Sequence, residues 1–229
     1  MVEKRENIHW GAFSIVKATL NAMELIVNLN KSFDYLVLLS GQDYPIKSND
    51  YISNYFSKFY GNDFIEFFSI PGPSPYGYDF YMYHFMDIRN IYLRKFFHGF
   101  SRLLALIYKR KFFRDLTPFG GSAWWAISYN STKFIIDFVK KNPRIIKFFK
   151  RTILPDEMFF QTLILNSPNS SNVINNNLRF IQWTGSSPNP SILTKHNFEL
   201  LKESPKLFAR KLDLLKDKEI FDLLDKSFQ

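Results

Sequence analysis

Apolar positions near the start of the chain recur at three- and four-residue steps. In "WGAFSIVKATLNAMELIVNLN" (10–30), Phe13, Val16, Leu20, Met23 and Val27 share one side, which predicts an amphipathic helix. The pattern then changes. "FDYLVLLS" (33–40) is an unbroken apolar run of strand length, the pattern of a central, parallel strand covered on both faces. It ends in "SGQDYP", where Gly41 and Pro45 stop the strand and leave Ser40, Gln42 and Asp43 at its C-terminal edge, the edge where open α/β sheets bind ligands.

Further along, "SNDYISNYFSKF" (48–59) predicts a short helix, "DFIEFF" (63–68) a strand and "SIPGPSPYGYDFY" (69–81) a loop rich in Pro and Gly. The stretch 88–116 reads as a basic, aromatic helix, and "GGSAWWAIS" (120–128) opens on glycines and runs into a strand. Asn130 or Ser131 is expected to cap the helix "TKFIIDFVKK". Pro155 suits the first turn of a helix, with Asp156 and Glu157 in that turn. A strand over 175–183, a helix over 194–204, a strand over 206–211 and a last amphipathic helix over 213–228 complete the chain. Alternating strands and helices predict an α/β domain with a mostly parallel central sheet flanked by helices, one domain over 1–229 with no internal repeat or dividing linker.

Composition narrows the function. A hydrophobic share of 46% and a charged share of 22% are those of a folded globular chain. With no cysteine, a disulfide framework and a thiolate metal site are excluded, and four scattered His predict no zinc site. No stretch approaches the ~20 apolar residues that span a bilayer, and "MVEKRENIHWG" lacks the apolar core of a signal peptide. The expectation is a cytoplasmic protein, peripheral to the inner face of a bacterial membrane. A net charge of +9 favours an anionic partner.

Several groups of residues offer chemistry, each with a plainer reading beside it. Asp156 and Glu157 complement a helix dipole, or one of them is a general base able to take a proton from a docked hydroxyl. "SGQDYPIK" displays hydrogen-bonding groups at one sheet edge, or is simply a tight turn. Gly120 and Gly121 allow close backbone approach. Trp124 and Trp125 offer indole faces, of which at most one lines a given cleft because strand neighbours point to opposite sides. Arg210 and Lys211, in "FARK", could neutralise a departing diphosphate, or are surface cations. The stretch 89–114 holds Arg89, Arg94, Lys95, Arg102, Lys109, Arg110, Lys111 and Arg114 among Phe and Leu. It is a solvated helix face or a site of peripheral membrane contact. No nucleic-acid module accompanies the charge, so no nucleic-acid partner is expected. There is no Walker or GxGxxG pattern and no Asp-X-Asp, so any bound nucleotide diphosphate is expected to be met by side-chain cations.

In order, "NIHWGAFSIVKATLNAM", "YLVLLSGQDYPIKSN", "GGSAWWAIS", "LPDEMFFQTLILNS", "NNNLRFIQWTGSSPN" and "LFARKLD" resemble the core-2/I-branching β-1,6-N-acetylglucosaminyltransferase family (glycosyltransferase family 14), which includes the peptide O-xylosyltransferases. The resemblance runs from about residue 5 to residue 213. It implies a GT-A-like nucleotide-sugar-binding fold and an inverting, metal-independent transfer of N-acetylglucosamine or xylose from a UDP-sugar to a hydroxyl of a glycan or glycoconjugate acceptor, with no cofactor. Glu157 matches the family's catalytic base. Lys211 matches its donor-diphosphate residue, with Arg210 beside it. Asp43, Gln42, Trp124, Trp125, Asp156 and Trp10 are the candidates for sugar and acceptor binding. Family members usually carry a further strand-helix-strand segment before the point where this chain begins, so the domain is expected to be N-terminally short. The rival expectation is a truncated, inactive relative that binds glycan or membrane.

Overall fold

A computed structural model describes residues 5–29, 32–71, 79–82, 84–87, 91–107, 110–185 and 189–228. The helices are α1 (Ser14–Asn28), α2 (Asn49–Lys58), α3 (Asp79–Met82), α4 (Ile91–Ile107), α5 (Tyr129–Lys141), α6 (Pro143–Phe149), α7 (Phe159–Leu165), α8 (Phe198–Glu203) and α9 (Glu219–Ser227). The strands are β1 (Tyr35–Val37), β2 (Asp43–Pro45), β3 (Asp63–Ser69), β4 (Phe119–Ser128), β5 (Val173–Ile174), β6 (Arg179–Ile181) and β7 (Phe208–Arg210). Of the expected loop 69–81, residues 72–78 lie outside the described residues, as do Arg89 and Lys109 of the basic stretch.

The strands form two sheets, one in the order β1-β4-β3-β5 and one in the order β2-β7-β6. β1 and β3 run antiparallel to β4, and β2 antiparallel to β7, whereas β5 pairs parallel with β3 and β6 parallel with β7. The α/β reading holds, but the sheets are mixed rather than mostly parallel. The cause is visible in β1. Its apolar run is covered on both sides, since Leu36 and Leu38 pack on the main core and Tyr35 and Val37 on a second cluster around Phe64. Yet β1 sits at the end of its sheet's order. Two-sided cover produced the unbroken apolar pattern without a central, parallel position.

The main core fills the space between β3–β4 and helices α1, α5, α6 and α7, with Trp125, Phe149, Phe159 and Phe160 at its centre. Helices α8 and α9 cover the smaller sheet through Leu201, Ile220 and Leu224. Ser48 caps α2 by accepting the Tyr51 amide at 3.2 Å. The cap of α5 is Ser128, which accepts the Ser131 amide at 3.3 Å, rather than Asn130 or Ser131. Ser131 is engaged elsewhere, donating its hydroxyl to the buried carboxylate of Asp63. Asp63 also accepts the Ser128 amide at 2.7 Å, fixing the junction of β4 and α5, and its burial pushes its pKa up despite these donors. Asp63→Ala would leave that buried amide without an acceptor, and the expected cost of about 3 kcal/mol should appear as a lower denaturant midpoint at unchanged slope.

Candidate active site

The segment carrying the two carboxylates is held by an unusual turn. Leu154 has φ +46°, a left-handed conformation that non-glycine residues adopt rarely. Its amide donates to the Gly11 carbonyl at 3.0 Å, and its own carbonyl accepts the Glu157 amide at 3.0 Å. Gly11 itself sits at φ +71°, which glycine adopts without strain. The result is a single 3-10 turn over Pro155–Glu157 in place of the expected first α-helical turn, followed by α7 from Phe159. Phe159, Phe160, Leu163 and Ile164 bury this helix behind the turn.

Burial dominates the electrostatics of the two acids. Desolvation, helped by the neighbouring Asp156 charge, pushes Glu157 up to about 7, and desolvation pushes Asp156 up to about 6. Asp156 Oδ1 is buried with no hydrogen-bond partner among the described residues. A helix dipole would hold these groups ionised and low, so burial outweighs any dipole in setting the direction of both shifts.

A cationic cluster forms where the end of β7 meets β2 and Trp124 of β4. Arg210 Nη1 makes an ion pair with Asp43 Oδ1 at 3.0 Å and also donates to Ser40 Oγ. Its guanidinium carbon lies 4.4 Å from the centre of the Trp124 ring. Asp43 additionally accepts the Ser40 amide at 3.0 Å and the Ser40 hydroxyl at 3.1 Å. Its side chain is 0% exposed, so its role is to hold Arg210 rather than to touch a sugar. Gln42 contributes backbone, its carbonyl accepting the Leu212 amide at 2.9 Å, which fastens the strand end that bears Lys211. Lys211 is half-buried, and no described acid pairs with its ammonium.

Trp125 is 1% exposed and packs on Phe160 at 5.1 Å between ring centres, so it presents no face to a ligand and leaves the set of sugar-binding candidates. Trp124 is the indole on the site side. Trp10 is 75% exposed and immediately precedes Gly11, the residue that anchors the carboxylate turn. Gln42, Asp43, Trp124, Arg210 and Lys211 therefore gather at one place. Asp156, Glu157 and Trp10 gather at another, and β4 joins the two, because the 3-10 turn packs against it and it carries Trp124.

Two residues escaped the sequence reading. Arg179 is buried, donates to the Asn177 and Leu38 carbonyls, and lies 5.9 Å from the Trp124 ring on its guanidinium carbon. Burial and the Arg210 charge bring it down to about 10, with Asp43 acting in the opposite direction. Gln161, fully buried one turn beyond Glu157, donates to the Ser122 carbonyl of β4 at 2.6 Å. Each had a signal: a cation inside the apolar strand "LRFI" and an amide inside the apolar helix "FFQTLIL". Among the described residues no three His, Cys, Asp or Glu side chains gather as a metal site would require.

Residues 1–203 match the family model described as Core-2/I-Branching enzyme. Rat xylosyltransferase 1 is 26% identical over 239 residues, covering 94% of this chain and 27% of that protein. Rat xylosyltransferase 2 is 24% identical over 238 residues, and human xylosyltransferase 1 is 26% identical over 239. The chain spans about a quarter of the length of these relatives. Its α/β layers are those of a GT-A-like domain. By the match over most of its length, this chain belongs to the core-2/I-branching enzyme family of glycosyltransferases.

Proposed function

We propose that the protein transfers a sugar from a UDP-sugar to a hydroxyl of a glycan or glycoconjugate acceptor, with inversion and without a metal ion. Glu157 takes the proton of the attacking hydroxyl as its oxygen reaches the anomeric carbon from the face opposite UDP. Lys211 and Arg210 meet the negative charge that gathers on the departing diphosphate, an electrostatic role that commonly contributes most in such sites. Asp43 and Trp124 keep the Arg210 guanidinium in place. Trp10 and Asp156 serve the acceptor side. The donor sugar proposed is xylose or N-acetylglucosamine, and the place of action the cytoplasm at the inner face of a bacterial membrane. The observation that carries this reading is Glu157, a half-buried residue whose desolvated carboxyl is brought to about 7, where a base is ionised near neutral pH and still accepts a proton readily.

Thermal unfolding with UDP in EDTA tests the donor half. At ~100 times its dissociation constant UDP should add roughly 2.7 kcal/mol of stability. Lys211→Ala should lose most of that increment while the ligand-free protein unfolds as before, because the Lys211 ammonium holds no described partner whose loss would matter. A shift seen only in magnesium would overturn the metal-free reading. No shift under either condition would leave a glycan- or membrane-binding relative.

A further inference from the structure

Helix α4 presents an apolar face that no packing in the core explains. Phe96, Phe100, Leu103, Leu104 and Ile107 are all exposed, Phe96 by 67%, Leu103 by 61% and Ile107 by 89%. At about 100° per residue these five positions fall within an arc of about 100°, a single stripe along the helix. The tie between this helix and the body lies off that stripe: Ser101, on the next face round, accepts the His84 amide at 2.7 Å. Just past the helix, Arg110 donates to the Arg151 carbonyl at 2.8 Å and stacks on Phe148 with its guanidinium carbon 3.7 Å from the ring centre, fastening the C-terminal end. The stripe is thus held outward by attachments on its other sides.

Charge identifies the occupant. Residues 88–114 contain eight Lys or Arg (89, 94, 95, 102, 109, 110, 111 and 114) and no Asp or Glu, so this segment carries charge nearly equal to the whole chain's net +9. Lys95, Lys111 and Arg114 are exposed. An aliphatic and aromatic stripe with cations and no acids matches the boundary of a bilayer bearing anionic headgroups, where apolar side chains enter the acyl region and cations meet phosphates. A protein groove would fit the stripe but would not call for so one-sided a charge. Among the described residues no helix is long and apolar enough to cross a membrane, so contact through α4 would lie in the plane of the surface. We propose that α4 docks the protein in plane on an anionic lipid surface. The inference is independent of the chemistry at Glu157, since docking is read without donor or acceptor.

Co-sedimentation of the full chain with vesicles tests it, using phosphatidylcholine alone and an equal mixture with phosphatidylglycerol. The expected result is at least about tenfold tighter binding to the mixed vesicles, lost in ~0.5 M salt. The double variant Phe96→Ser with Leu103→Ser should lose the binding yet unfold at the same temperature, since both side chains are exposed. Lys95→Glu with Lys111→Glu should lose it as well, with the apolar stripe intact. Equal binding to both vesicle types, or retained binding by the serine variant, would overturn the proposal. So would a dimer of the native chain, seen by sedimentation velocity without lipid, that the serine substitutions dissolve, because a second copy would then cover the stripe.

Discussion

Replacing Glu157 by Gln is expected to lower the rate of sugar transfer by about 10²–10⁴-fold, the usual contribution of a positioned base, while UDP binding is retained. Gln keeps the shape of the side chain and the turn that Leu154 and Gly11 define, but it cannot take a proton. Because the Glu157 carboxyl sits at about 7, the native rate should climb with pH up to that value and level above it, and the variant's residual rate should lack this limb. A variant that transfers at the native rate would remove Glu157 from the mechanism.

The same substitution should make the protein more stable at alkaline pH. The folded-state value lies above the ordinary 4.5, so the folded chain binds more protons than the unfolded chain between about 4.5 and 7, and native stability falls as pH rises through that window. Above it the full cost of burying the charge is present, up to roughly 3 kcal/mol at ~1.36 kcal/mol per pH unit. Burying an amide offsets part of the gain, leaving about 1–2 kcal/mol, or several degrees of Tm for a chain of this size. At pH 5 the two proteins should unfold at nearly the same temperature. A dead variant that gains stability only when the native carboxyl would be charged is a signature that a merely structural Glu157 would not give. Coincident unfolding at pH 8 would mean that the carboxyl is not desolvated.

What was legible in the sequence follows from the range of the forces involved. Periodicity placed α1, which turns Val16 and Met23 to the core, and β3 and β4 were legible as apolar runs because neighbouring residues pack on opposite sides, Ile65 and Trp125 on the main core and Phe64 and Ala126 on the second cluster. The carboxylate turn was legible as a pair of acids behind a proline. Its left-handed Leu154 was not, since that conformation depends on Gly11, far away in the chain. Asp43 looked like a sugar ligand at a strand edge, and only the antiparallel pairing of β2 with β7, which sets Asp43 against Arg210, shows it to be that cation's support. Arg179 was hidden for the same reason: its relation to Trp124 depends on contact between two sheets. Trp124 and Trp125 were separable in principle by strand alternation, but alternation alone could not say which one faces the site.

The glycine pair before those tryptophans yields the second large effect, because Gly121→Ala should unfold the domain or cost more than about 4 kcal/mol. A Cβ at Gly121 would fall 1.8 Å from the Glu66 carbonyl oxygen and 2.9 Å from the Phe67 Cα, both backbone atoms that cannot swing aside. The close approach anticipated from the sequence is therefore that of β3. It accompanies an irregularity in the ladder: Ile65 faces Trp125 and Phe67 faces Gly121, so two steps along β3 correspond to four along β4. The extra residues bulge out of β4 and include Trp124, which meets Arg210, while Trp125 returns to the core. Gly120→Ala should cost less, about 1–2 kcal/mol, since its Cβ would press at 2.7 Å on the Phe68 ring, a side chain able to turn away. Gly41→Ala, with nothing within 4 Å of the new carbon, should be close to neutral. Denaturant midpoints of the three variants should fall in that order. A Gly121→Ala protein within about 1 kcal/mol of native would show that β3 and β4 can separate at the bulge, and the placement of Trp124 beneath Arg210 would then lose its structural cause.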